Sequence, residues 1–277
     1  MALSRPGRAL VVLSALGWMF GAPRMARAEP DLPDATTVSL PCRPTIACTA
    51  DLVRPGAVEV ESGALYRRAS GPLQKGVWMF PLLAKLTIID ELQMQLGSNG
   101  YATTVSPPTE RYIDDLVITA KVHFLDQTRY GPSLAVSAEL SVPTLRATGY
   151  LRTYDAFFTG YATKDIGPVH VDLNAGVNLW RIEDHPAPQA FTALALSANI
   201  VPPFGVMLEG YVFSQALPVS RRDGGLLFAI SHSPKPWLIF DVGGDIGIFP
   251  WTHSFATFLG MTIVPVLLWR PKDLART

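Results

Sequence analysis

The chain has 277 residues, 48% hydrophobic and 17% charged, with a formal net charge of zero. That balance gives no electrostatic reason to bind nucleic acid. No internal apolar run approaches the roughly 18 residues of a membrane helix, so a membrane form would have to be a closed barrel, because lipid offers no partner to open strand edges.

Residues 1–28 read as a secretory signal: Arg5 and Arg8 open it, an apolar stretch follows at 9–20, and Ala26-Arg27-Ala28 is an A-x-A cleavage site. Beyond it the chain carries 19 basic and 23 acidic residues, a mild negative balance. Residues 29–56 contain Pro30, Pro33, Pro41, Pro44 and Pro55 with little periodicity, and are expected to be an extended periplasmic leader rather than a domain. Cys42 and Cys48 lie within it, with no further Cys or His nearby to complete a metal site. In an oxidising compartment such a pair closes a small local disulfide.

From Ala57 onward strand-like segments recur at 57–67, 77–87, 91–97, 115–125, 133–142, 156–164, 169–179, 190–200, 205–214, 224–232, 237–247 and 254–269. Longer loops are expected at 68–76, 98–114, 143–155, 180–189, 215–223 and 248–253, and shorter turns at 88–90, 126–132, 165–168, 201–204 and 233–236. An even strand number with alternating long and short connections is the pattern of outer-membrane barrels, and it puts both chain ends on the short-turn side. The expected fold is therefore an all-β, transmembrane, antiparallel up-and-down β-barrel of about 12 strands over 57–269, with a tail at 270–277.

Side chains on a strand alternate between faces. In 169–179 the odd positions (Val169, Val171, Leu173, Ala175, Val177, Leu179) are apolar, and the even ones are His170, Asp172, Asn174, Gly176 and Asn178. The same parity assigns Glu59, Glu61, Lys85, Glu91, Lys121, His123, Glu139, His170, Asp172, Glu209, Asp241 and Asp245 to a lumen. These residues would either select solutes along a pore or pair with one another and plug a narrow barrel. Met207, Tyr211, Phe213, Phe157 and Tyr161 share the inward parity, as an aromatic path or as packing. Tyr66, Trp78, Tyr112, Tyr130, Tyr154, Trp180, Trp237, Trp251 and Trp269 fall near strand ends, as interfacial girdles do. Pro81 removes a ladder donor inside a strand and predicts a bulge or bend there.

Four pieces occur in a fixed order: Pro55-Gly56 followed by Glu61 and Gly63, Leu86-Thr87 with Glu91-Leu92, Asp115 with Lys121, and Ala138-Glu139-Leu140-Ser141-Val142-Pro143-Thr144. They resemble, in turn, the opening strand, the first hairpin, a following strand and a further element of the outer-membrane β-barrel family named for the MetA pathway of phenol degradation. The likeness runs roughly over 51–269. The hairpin turn lacks the family's Gly, Arg146-Ala147 replaces a Gly-rich continuation, and the chain continues past Trp269 instead of stopping on an aromatic. The resemblance implies a membrane barrel connected with uptake of small compounds, aromatic ones among them, and brings no catalytic residues.

An enzyme is not expected. Ser231 and His232 are adjacent and so point to opposite faces, His253-Ser254 has the same problem, and no G-x-S-x-G, H-E-x-x-H or Walker loop is present. The expected function is passive uptake of small hydrophobic or aromatic compounds across the bacterial outer membrane. The alternative is a closed structural barrel whose loops 98–114 and 143–155 bind a partner. Expected partners are outer-membrane lipid, a small-molecule solute and the outer-membrane assembly machinery, with no cofactor and no metal.

Overall fold

The computed structural model describes residue 33 and residues 37–69, 76–105, 109–143, 154–182, 185–216, 221–249 and 253–269. The expected signal, the first part of the leader, Trp251, the tail at 270–277 and most of the loop at 143–155 lie outside the described residues. Every regular element among the described residues is a strand: β1 (Ala57–Ala69), β2 (Gly76–Ile89), β3 (Leu92–Thr104), β4 (Arg111–Ile113), β5 (Leu116–Leu125), β6 (Ser133–Val142), β7 (Asp155–Ile166), β8 (Val169–Ile182), β9 (His185–Val201), β10 (Phe204–Ala216), β11 (Arg221–Lys235), β12 (Leu238–Gly247) and β13 (His253–Leu267). Apart from β4 and β5, neighbours in the chain pair antiparallel, and β13 closes on β1 through Ala57↔Leu267 and Gly63↔Gly260. Both β4 and β5 pair with β3, so they form one interrupted stave and the barrel has 12.

Closure leaves two faces of opposite chemistry. Ile118, Val136, Phe158, Leu173, Leu208 and Val242 stand exposed on the outside, while Gln93, Thr119, Ser137, Thr159 and Asn174 are buried on the inside. An apolar belt of this extent is unstable against water and suits the hydrocarbon core of a membrane. The register follows from it, since a slip of one residue would turn every polar side chain into lipid.

The strands are longer than the sequence pattern suggests. The expected loop at 98–114 is strand up to Thr104, and the bulge expected at Pro81 occurs where β2 meets β3: Phe80 faces both Gly100 and Tyr101. Gly100 has φ +69 there, a conformation open to glycine at little cost, and an added Cβ would strike the Phe80 carbonyl oxygen. The expected loop at 180–189 is a hairpin end, with Ile182↔His185 and Arg181↔Pro186 paired. Its prolines suggest a loop. On its other side, however, β9 pairs with β10 only from Phe191 onward, so Pro186 and Pro188 lie at an edge where missing N–H groups break no ladder.

The largest correction concerns the leader. Residues expected in the periplasm, 39–51, instead lie within the barrel, hydrogen-bonded to inward side chains of β1, β2, β5, β6, β7 and β10. A closed barrel has no free ladder edge to satisfy an entering backbone, so buried side chains must do so. Small inward residues make the room: Ala47 packs against Ala193, Ala195 and Tyr211, and Ala50 against Ala135 and Tyr161. Nearer the barrel end, Val53 and Leu40 pack with Ala57, Val264, Leu267 and Trp237. The leader joins β1 at Gly56, which has φ +83, donates its N–H to Thr87 O (2.8 Å) and accepts from Leu268 N (2.7 Å). A side chain at Gly56 would collide with the Trp269 carbonyl.

Candidate functional site

The site is the lumen, and its first component is a set of carboxylates that capture successive leader amides. Glu59 accepts from Leu40 N and Ser39 Oγ, both at 2.7 Å. Glu61 accepts from Cys42 N and Arg43 N, both at 2.9 Å. Glu209, across the barrel on β10, accepts from Ile46 N at 3.0 Å and Ala47 N at 2.6 Å. All three glutamates are completely buried. Hydrogen bonds to an ionised acceptor are stronger than neutral ones, which suits a segment with no ladder of its own.

Cations complete the clamp. Lys85 Nζ donates to Glu59 (2.7 Å) and to Leu40 O (2.9 Å), and also contacts Glu61. It therefore compensates two buried acids that would otherwise be costly to desolvate. Lys121 donates to Thr49 O and lies over the Tyr161 ring at 4.4 Å. His123 Nδ1 is 3.2 Å from Ala50 O, and its Nε2 is 2.9 Å from Asp126. Thr163 Oγ1 accepts from Ala50 N (2.6 Å) and donates to Asp172 (2.5 Å). Ser133 Oγ donates to Asp51. Asn174, with its amide turned to match its neighbours, donates to Cys48 O (2.9 Å) and accepts from Cys48 N (2.8 Å). Cys42 and Cys48 are joined as a disulfide, so the clamped stretch contains a short covalent loop.

The remaining parity-assigned residues scatter. Asp241 faces Arg43 at 3.8 Å. His170 bridges Asp165 (2.7 Å) and Asp172 (3.3 Å) near the short-turn end. Glu139 accepts from Ser137 Oγ at 3.0 Å. Asp245 lies farther out on β12, accepting from Tyr211 Oη (2.7 Å) and pairing with His253 (2.8 Å). Glu91 is exposed in the two-residue turn between β2 and β3, outside the strand that would have aimed it inward. Trp180 is not in an outer girdle: it faces inward beside Phe157 with ring centroids 4.9 Å apart, and its Nε1 donates to Gln189. Arg43, Thr163, Ser133 and His253 lie outside the parity list. Thr163 and Ser133 could have been found by extending parity to hydroxyls, whereas Arg43 sits on a segment with no period to read.

Two cavities flank the leader. One, of about 460 Å³, lies toward the long loops and is lined by Phe157, Trp180, Phe191 and Phe213 together with Thr119 and Asn178. The other, of about 620 Å³, lies among the short turns, beside Pro168, Pro203, Pro236, His170 and Asp241. Among the described residues no cluster of three or more His, Cys, Asp or Glu is arranged to hold a metal ion.

No family model matches the chain, and no curated protein matches it in sequence. The structure is similar to that of an outer membrane channel from Pseudomonas putida F1, with a TM-score of 0.55 at 12% identity, covering 84% of this chain and 99% of that one. The β domain of a Bordetella autotransporter aligns with a TM-score of 0.44 at 11% identity over 75% of this chain and 98% of that one. An anion-selective porin from Comamonas acidovorans aligns at 0.38 and 7% identity, over 75% and 97%. The apolar belt is the independent physical reason to seat such a fold in lipid, and the chain is accordingly a 12-stranded barrel of the bacterial outer membrane.

Proposed function

We propose that the protein is an outer-membrane channel for passive uptake of small hydrophobic or aromatic compounds, with its own leader as a resident plug. The observation that carries the reading is the long-loop cavity, where Phe157 and Trp180 on one side and the stacked pair Phe191 and Phe213 (5.6 Å) on the other face one space with Thr119 and Asn178. Aromatic walls favour a flat apolar solute through offset and edge contacts, and the amide and hydroxyl offer partners to one polar substituent. The motif resemblance to the phenol-pathway barrels points to the same solute class. In this reading Glu59, Glu61, Lys85, Lys121 and Glu209 hold the plug, while Glu139 faces the solute.

The test is reconstitution of the full chain in planar bilayers and in liposomes loaded for phenol flux. Measurable conductance and saturable phenol entry are expected; a silent bilayer with no flux would sink the reading. A second reading, a closed barrel whose loops bind a partner, draws on the density of bonds that hold the leader, and it expects that silence. Orientation is tested separately. Protease added to intact cells is expected to cut at Arg221–Arg222, and cleavage only after outer-membrane rupture would invert the assignment of the loops.

A further inference from the structure

Arg43 is the only described residue that lines both cavities. It enters from the leader, and its backbone N–H is fixed by Glu61 at 2.9 Å. Its side chain then crosses to a row of three residues placed side by side by the strand register: Gly63 on β1, Gly260 on β13 and Asp241 on β12. Both glycines belong to the inward set, and both lack the side chain that would occupy the guanidinium's position. An added Cβ would lie 2.5 Å from Arg43 Nη2 at Gly63, and 2.6 Å from both Nε and Nη2 at Gly260. The pair forms a notch, and Asp241 ends the row as counter-ion.

The hold on the guanidinium is looser than the hold on the leader backbone. Its hydrogen bond to Leu259 O is 3.3 Å and its approach to Asp241 is 3.8 Å. Arg43 Nε and Asp241 Oδ1 are both buried without a hydrogen-bond partner. A charged pair this poorly satisfied contributes little to the closed arrangement compared with the short carboxylate–amide bonds around it. The leader is therefore pinned while one side chain between the two cavities can swing.

We propose that Arg43 is the gate of the barrel, its guanidinium lying in the Gly63–Gly260 notch when closed, and that passage runs through the gap it vacates. This rests on the channel reading above. It adds which residue limits the flow and a charge that the passing solute must meet.

Three full-length variants, each verified as a folded barrel by its heat-dependent gel shift, test it in planar bilayers. Arg43→Ala is expected to raise single-channel conductance several-fold and to shift the reversal potential in a salt gradient. Gly260→Ala is the sharper probe. The atoms nearest its new Cβ all belong to the Arg43 side chain, so it expels the guanidinium while keeping the charge. It is expected to raise conductance in the same direction with a smaller selectivity shift. Arg43→Lys, which keeps charge but cannot fill the notch with a planar group, should fall between wild type and Arg43→Ala. If wild type conducts and none of the variants differs from it, the route bypasses Arg43 and the gate is refuted while the channel stands. If wild type and all variants are silent and phenol flux is absent, both fail. Should Arg43→Ala not fold, Gly260→Ala alone decides.

Discussion

On the short-turn side of Arg43, inward Glu59, Glu61, Glu209, Thr163 and Lys121 are engaged by the leader backbone. On the long-loop side aromatic rings, amides and hydroxyls face a cavity together with Glu139. The same period-two alternation builds both halves, so the pattern of the strands does not distinguish them. What distinguishes them is whether a second segment of chain arrives with N–H groups to satisfy. Buried Glu59, Glu61 and Glu209 resemble selectivity residues until the leader is placed, and then they become anchors. The aromatic half pairs Arg67 with Asp223 and His253 with Asp245 rather than with the leader, and in the channel reading it is the half that meets a solute.

The sharpest way to break this contrast is Glu209→Ala. It strips the acceptor from the amides of half-buried Ile46 and buried Ala47, at about 1–3 kcal/mol for the buried one. Amide hydrogen exchange at those two positions should accelerate by orders of magnitude while the barrel persists. Glu91→Ala, on the exposed turn, should leave exchange at both unchanged. Equal exchange in the two variants would mean that the leader is not held by its carboxylates.

Next in size is a probe of the wall itself. Val136 faces outward in mid-strand, between Val122 and Gly160. Val136→Arg should cost about 2–4 kcal/mol if the site lies near the bilayer midplane, read as a shift in urea unfolding in lipid vesicles. An unaffected midpoint would contradict the lipid-facing assignment of that strand face.

A smaller effect is expected of Cys42→Ser with Cys48→Ser. Losing a loop this short frees about 2 kcal/mol of unfolded-chain entropy. The stretch from Arg43 to Ala47 should become protease-accessible before any barrel strand does, and coincident cleavage of leader and strands would argue against separate anchoring. Smallest is Phe157→Ala on the cavity wall. It should reduce phenol flux a few-fold, about 1 kcal/mol of stacking, and leave leader exchange untouched. A change in leader exchange without a change in flux would reverse the roles assigned to the two halves.

The alternation at 169–179 was legible as a stave because a strand exposes its two faces strictly in turn, and one face there is wholly apolar. Ser133–Val142 was legible to the residue for the same reason. Strand ends were not legible where prolines sit. Pro186 and Pro188 read as loop, because whether a missing donor matters depends on which neighbour is paired at that height. Trp180 reads as a girdle residue because the alternation at 169–179 stops one residue short of it, whereas β8 continues to Ile182. The disulfide was legible from two cysteines in an exported, Pro-rich segment.

The leader's place could not be read in the same way. Residues 37–56 have no period, since nothing in their own backbone repeats; their bonds are supplied one at a time by residues as distant in sequence as Glu209 and Thr163. A trace of it is visible in β9, where inward Ala193 and Ala195 alternate with outward Leu194 and Leu196, small inside and large outside. Such a pattern leaves space in a lumen without saying what fills it. The sequence alone thus determined the barrel, its inward polar face and its lipid-facing belt, because these depend on local alternation and on the lack of hydrogen-bond partners in lipid. Only the tertiary structure decided that the polar face clamps the chain's own leader, and that Gly63, Gly260 and Asp241 line up to receive Arg43. Register across a closed sheet joins residues nearly two hundred positions apart, and no local pattern encodes that meeting.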